Sequence, residues 1–168
     1  MASSGELLHG VEIREMVMAD VPFVAALDRA GDPDPWTENI FQHELRLPLS
    51  HTLLAVGKRE EGNQVAGFIT FWMVADEVQL HKIVVGRQYR RCGVGRRLLQ
   101  AMTERASACG LSHATLDVRR ANEAAISLYE TFGYRVTTVR EGYYDEAGED
   151  ALMMSAELRP AGAKNGAL

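Results

Sequence analysis

The chain predicts a single α/β domain built on a mixed sheet, and three observations carry that reading. Strand-like and helix-like periodicities alternate along it in the order β-α-α-β-β-β-α-β-α-β-β. Short, turn-like links join some strands while helices intervene between others, so the strands cannot all run one way. With 168 residues, 46% apolar and 24% charged, the composition suits one sizeable core and no more.

Each element has a local reason. Val11 to Val17 reads as the first strand. Asp20 then precedes a helical pattern with Phe23, Ala26, Leu27 and Ala30 on one face, and Gly31-Asp32-Pro33-Asp34-Pro35 ends it. Thr37 is placed to cap a second helix carrying Ile40, Phe41 and Leu45. Three apolar strands follow, His51 to Val56, Val65 to Val74 and Val78 to Val85, with turns at Glu60-Glu61-Gly62-Asn63 and Ala75-Asp76-Glu77. A helix from Gly93 to Ala108 sets Val94, Leu98, Ala101 and Met102 on one side and stops at Gly110. Ala114 to Arg119 alternates, Leu116 and Val118 against Thr115, Asp117 and Arg119. Asn122 caps a helix repeating Ala125, Leu128, Tyr129 and Phe132 before Gly133, and strands Tyr134 to Arg140 and Ala151 to Glu157 close the fold. Residues 1–10 and 159–168 are expected to be flexible flanks of a domain spanning 11–158.

Bulk properties narrow the function. No segment reaches the roughly 18 uncharged apolar residues of a membrane span. The first ten residues lack the basic-then-apolar layout of a signal peptide. Cys92 and Cys109 offer neither metal-ligand spacing nor a disulfide framework, so a reduced, cytoplasmic protein without a metal is expected. A net charge of −5 argues against nucleic acid and favours basic peptides or amines as partners. The charge is uneven, however. Val78 to Thr103 holds no Asp or Glu but contains Lys82, Arg87, Arg90, Arg91, Arg96 and Arg97, which a solvated basic surface or an anionic ligand would equally explain.

Those arginines surround Val84-Val85-Gly86-Arg87-Gln88-Tyr89-Arg90-Arg91-Cys92-Gly93-Val94-Gly95-Arg96-Arg97, a passage from strand to helix. Gly93 and Gly95 let a ligand come close to the backbone, and the first helical amides have no intrahelical partner. The helix dipole there adds about 0.3–1 kcal/mol for an anion, and arginines add charge-assisted bonds. A Walker A loop is excluded because no Gly-Lys-Ser/Thr follows. A dinucleotide fingerprint is excluded because Leu98 holds the third glycine position.

The run Arg90-x-x-Gly93-x-Gly95 resembles the Gln/Arg-x-x-Gly-x-Gly/Ala turn of the GCN5-related N-acetyltransferase (GNAT) superfamily. A second run, Asp117-Val118-Arg119-Arg120-Ala121-Asn122 through Leu128-Tyr129 to Gly133-Tyr134, is similar to a signature of the RimI-type ribosomal-protein-alanine N-acetyltransferases. That signature reads Glu-Val-Arg-x-x-Asn-x-x-Ala-x-x-Leu-Tyr-x-x-x-Gly-Phe. Pro35-Trp36-Thr37-Glu38 resembles the same group's Pro-Trp-Ser-Glu, and Tyr143-Tyr144 with Gly148-Glu149-Asp150-Ala151 extends the likeness, which spans Val11 to Leu158. The resemblance implies a mostly antiparallel mixed sheet flanked by helices.

The resemblance also implies acetyl-CoA as cosubstrate and the α-amine of a protein N-terminus, that of a ribosomal protein beginning with alanine, as acceptor. The pantetheine arm would pair with Ile83, Val84 and Val85, and the pyrophosphate would rest on Arg90, Arg91, Cys92, Gly93, Val94, Gly95 and Arg96. Asn122 would touch the coenzyme, although its capping role needs no ligand. Tyr129 would act as general acid, where spacing alone permits a core tyrosine; Asp117 would act as general base in place of the group's glutamate. Glu77 and His81 are further candidates for the base, His81 reading otherwise as a core histidine. Tyr143 and Tyr144 would line a peptide groove. Lysine side chains, polyamines and small amines remain alternative acceptors on this fold, and a non-catalytic acetyl-CoA-binding module is an alternative of another class.

Overall fold

A computed structural model describes residues 10–59, 62–144 and 148–161. The elements are β1 (Glu12–Glu15), α1 (Val21–Gly31), α2 (Glu38–Arg46), β2 (Ser50–Arg59), β3 (Gly62–Val74), β4 (Glu77–Val85), α3 (Val94–Ala108), β5 (His113–Arg119), α4 (Glu123–Thr131), β6 (Arg135–Tyr144) and β7 (Glu149–Glu157). This is the expected order, with two additions: 3-10 turns at Met18–Asp20 and Arg87–Tyr89. The strands hydrogen-bond in the order β1-β2-β3-β4-β5-β7-β6, a mixed and mostly antiparallel sheet as expected. Two compact units share β4 and α3; one comprises the described residues through Trp72 with Lys82–Met102, the other Met73–His81 with the described residues from Thr103.

In the first unit, β1 pairs antiparallel with β2, and β2 with β3 from Ser50↔Trp72 to Arg59↔Gly62. Gly62 and Asn63, expected in a turn, already pair within β3, and Glu60-Glu61 lie outside the described residues. Val21, Val24, Ala25, Phe41, Leu54, Phe68 and Val84 form the core, with Leu27, Trp36 and Leu45 packed on it. Burying side chains of this size contributes about 1.5–3 kcal/mol each.

The face of α1 differs from expectation. Phe23 is 67% exposed, and Val21, Val24, Ala25 and Asp28 turn inward instead. The cause is Asp28, a fully buried carboxylate that binds the Lys82 ammonium through both oxygens at 3.1 and 3.0 Å. A charged residue in the inner row hides that row from an apolar count. In α2, Thr37 caps as expected, its Oγ1 accepting the Ile40 N–H at 3.4 Å. Phe41 is buried, and Ile40 is exposed.

Gly67 on β3 sets how closely α3 can approach. A Cβ there would meet the Val84 carbonyl oxygen at 2.8 Å, Val94 Cγ1 at 3.2 Å and Leu98 Cδ1 at 3.3 Å. Glycine therefore lets the start of α3 lie directly on β3 and β4.

In the second unit, β4 pairs in parallel with β5 from Glu77↔His113 to Leu80↔Leu116, and β5 pairs antiparallel with β7 along its whole length. Asp117, Val118 and Arg119 thus have a strand partner on one side only among the described residues. The predicted alternation holds: Leu116 and Val118 are buried, Asp117 is exposed. Asn122 Oδ1 accepts the Ala125 N–H at 3.2 Å and begins α4. Gly133, at φ 85°, ends it, and the Tyr134 N–H returns to the Tyr129 carbonyl at 3.2 Å. The strand predicted to stop at Arg140 continues through Tyr143 and Tyr144. Beyond β7 the Ala161 N–H donates to the Ser107 carbonyl at 3.1 Å; residues 1–9 and 162–168 lie outside the described residues.

Candidate active site

The anion-binding features lie in the first unit. Arg91 and Gly93 both adopt left-handed backbone, at φ 60° and 77°. For arginine that conformation is uncommon. The first i→i−4 bond of α3 runs from the Arg97 N–H to the Gly93 carbonyl at 3.1 Å, so the amides of Val94 and Gly95 precede the helical ladder. Arg87, Arg90, Arg91, Arg96 and Arg97 are all exposed around this helix start, Val94 is buried and Cys92 half-buried. A Cβ on Gly93 would meet nothing within 4 Å, leaving open space at the turn. Helix-start amides, a left-handed turn and exposed guanidiniums nearby in sequence are the chemistry that suits an anion such as a pyrophosphate.

Upstream, Val84 is buried while Ile83 and Val85 are half-buried, and Arg90 Nε reaches the Val85 carbonyl at 3.5 Å. Lys82, grouped by sequence with the solvated cations, is only 8% exposed. Its ammonium binds Asp28, Asp32 Oδ2 at 3.2 Å and the Asp34 carbonyl at 2.9 Å, and lies 5.1 Å from the Trp36 ring centroid. Asp28 also accepts the Trp36 N–H at 2.7 Å. Burial raises the Asp28 carboxyl above its ordinary value, against the lowering effect of the Trp36 amide and Lys82. The segment resembling Pro-Trp-Ser-Glu is therefore tied to β4 immediately before Ile83.

Candidate acid and base residues lie in the second unit. Asp117 projects from the polar side of β5, and Arg140 of β6 stands 3.9 Å from its carboxylate. Arg140 also covers the Tyr143 ring at 5.2 Å. Arg119 bonds Glu149 Oε2 at 2.9 Å and lies 4.2 Å over the Tyr144 ring. Tyr143 and Tyr144 meet edge to face at 5.2 Å. The two arginines thus lie against the tyrosines expected to line a groove, a contact the sequence did not disclose for Arg140.

Tyr129 is 5% exposed. Burial, then Tyr134 and Tyr144, push its hydroxyl well above the ordinary tyrosine value, so the phenol keeps its proton at neutral pH. Asp117 and Tyr129 occur in the same unit, as do the turn residues Arg90 to Arg96 in the other. Of the remaining candidates, Glu77 accepts the Thr115 hydroxyl, while His81 is exposed instead of lying in a core. Among the described residues, no group of three or more His, Cys, Asp or Glu is placed to hold a metal ion, and no helix is long and apolar enough to cross a membrane.

Similarity to known proteins identifies the family. The profile of the acetyltransferase (GNAT) family matches residues 13–134. The chain is 32% identical over 149 residues to the ribosomal protein bS18-alanine N-acetyltransferase of Escherichia coli strain K12, covering 87% of this chain and 97% of that one. It is 35% identical over 150 residues to the N-alpha-acetyltransferase RimI of Mycobacterium tuberculosis, covering 86% and 90%. The crystal structure of the Escherichia coli ribosomal-protein-S18-alanine N-acetyltransferase superposes with a TM-score of 0.80 at 29% identity, over 92% of this chain and 97% of that one. The chain belongs to the acetyltransferase (GNAT) family of acetyl-CoA-dependent acyltransferases and is itself an N-acetyltransferase.

Proposed function

We propose that this enzyme transfers acetyl from acetyl-CoA to the N-terminal α-amine of a protein, specifically a ribosomal protein that begins with alanine. The observation carrying this reading is the match over nearly the full length of the bS18-alanine N-acetyltransferase of Escherichia coli. The cytoplasm, where Cys92 and Cys109 stay reduced, is the compartment in which such an acceptor is made.

The coenzyme supplies an activated acetyl thioester, and the chain's own residues would act as follows. Arg90, Arg91 and Arg96, with the backbone of Cys92, Gly93, Val94 and Gly95, hold the pyrophosphate. Ile83, Val84 and Val85 pair with the pantetheine arm, and the Val85 N–H polarises the thioester carbonyl. Asn122 contacts the coenzyme while capping α4. Asp117 accepts the proton of the attacking amine, directly or through a water, since aspartate is one methylene shorter than the glutamate of the related signature. An α-amine, with pKa near 7.7–8.0, is already partly neutral, whereas a lysine amine near 10.4 needs about 3 kcal/mol more. A short or water-relayed base therefore suits an N-terminus better than a lysine. Tyr129 gives its proton to the departing sulfur.

The test is turnover with an alanine-starting peptide. Tyr129→Phe keeps the packing and should lower kcat on the order of a hundredfold; Asp117→Asn should move the pH–rate profile to higher pH. Wild-type turnover in the first, with an unmoved profile in the second, would remove both roles.

A further inference from the structure

Tyr134 carries the one side-chain polar atom among the described residues that is buried with no hydrogen-bond partner: its hydroxyl. The residue is 2% exposed and follows Gly133 at the end of α4. Its ring lies 5.8 Å from that of Tyr129, tilted by 52°. Leaving a buried hydroxyl unpaired leaves its lost hydration uncompensated. The chain has an obvious way to avoid that cost, because the related signature ends in Gly-Phe and a phenylalanine here would keep the ring. A hydroxyl left unpaired while its ring packs against that of the candidate acid is available to a partner that forms only during the reaction.

We propose that Tyr134 is a positioning residue whose hydroxyl donates to the Tyr129 oxygen once Tyr129 has given up its proton; the inference rests on the acid role proposed above. In the step, the amine nitrogen bonds to the acetyl carbon as the carbon–sulfur bond breaks and its electron pair goes to sulfur. Tyr129 transfers its proton to that sulfur and is left as a phenolate; Asp117 takes the amine proton. Asp117 then releases a proton to water, and Tyr129 regains one. Only in the interval between does the Tyr129 oxygen become an anionic acceptor. Burial disfavours that phenolate, so a donor waiting without another partner acts where help is most needed. A hydrogen bond made only in the transition state raises kcat without tightening ground-state binding.

The experiment compares Tyr134→Phe with the native protein. The free proteins are followed by thermal unfolding, coenzyme A binding is followed by calorimetry, and kcat and KM are taken on an alanine-starting peptide. The expected result is an unchanged or higher Tm, coenzyme affinity within twofold, and a drop in kcat of about tenfold. The double variant Tyr129→Phe/Tyr134→Phe should be no slower than Tyr129→Phe alone, because Tyr134 acts through Tyr129. Native kcat in Tyr134→Phe, or losses that multiply in the double variant, would overturn the inference. If Tyr129→Phe slows turnover and Tyr134→Phe does not, only this inference fails; if Tyr129→Phe runs at the native rate, the acid role falls and takes Tyr134 with it.

Discussion

Lys82 and Tyr134 are polar side chains buried to similar depth in different units, and their surroundings treat them oppositely. The Lys82 ammonium meets Asp28, Asp32 and the Asp34 carbonyl and rests against Trp36. The Tyr134 hydroxyl has no hydrogen-bond partner. A charge cannot be buried without compensation, so the first cluster is complete in the resting protein. A neutral hydroxyl can be left unpaired at tolerable cost, which permits its partner to appear later. Completeness marks a structural device that ties the loop between α1 and α2 to β4; incompleteness marks a group reserved for chemistry.

Substitution in the charged cluster should have the largest effect on stability. Lys82→Ala strands the Asp28 carboxylate and is expected to cost about 3–5 kcal/mol in denaturant unfolding, and Asp28→Ala, which leaves the ammonium its Asp32 partner, is expected to cost less. A loss under about 1 kcal/mol would mean that the pair is wetter than its burial implies. Tyr134→Phe should move stability in the opposite direction, a small gain, while slowing turnover. That sign reversal is the signature separating the two kinds of burial.

The smallest expected effect comes from a half-open example. Asp20 accepts two bonds from Arg14, at 2.8 and 2.9 Å, and the Val17 N–H at 2.8 Å. The Arg14 bond, against an opposing contribution from burial and with help from Val17, holds the Asp20 carboxyl below its ordinary value. A depressed folded-state pKa gives stability that is present above the unfolded value near 3.9 and is lost as pH falls through the folded value. Asp20→Asn should therefore destabilise slightly at pH 7, and the gap from the native protein should close on acidification below about pH 4. A gap that persists at low pH would assign the effect to packing. Arg14 is well exposed, so solvent screening keeps the term small.

The same contrast explains what the sequence made legible. The Arg90-x-x-Gly93-x-Gly95 turn, the Thr37 and Asn122 caps, and the alternation of Leu116 and Val118 depend on near neighbours, and near neighbours are adjacent in sequence. The inner face of α1 was misread because Asp28 occupies it, and the lysine that makes a buried aspartate tolerable lies 54 residues away. Lys82 was grouped with surface cations for the same reason. Tyr134 passed as an ordinary strand residue because only packing shows that its hydroxyl is stranded. Arg140 was silent because its contacts with Asp117 and Tyr143 require the fold, one of them across strands.

The proposed acceptor is a free protein N-terminus. Acetyl transfer should be measured on an alanine-starting ribosomal-protein peptide, its N-terminally blocked twin, an internal-lysine peptide and a polyamine, with the modified nitrogen located by mass spectrometry. Acetylation of the free α-amine alone is the expected result. Transfer only to the lysine or the polyamine, or coenzyme binding without any transfer, would contradict it.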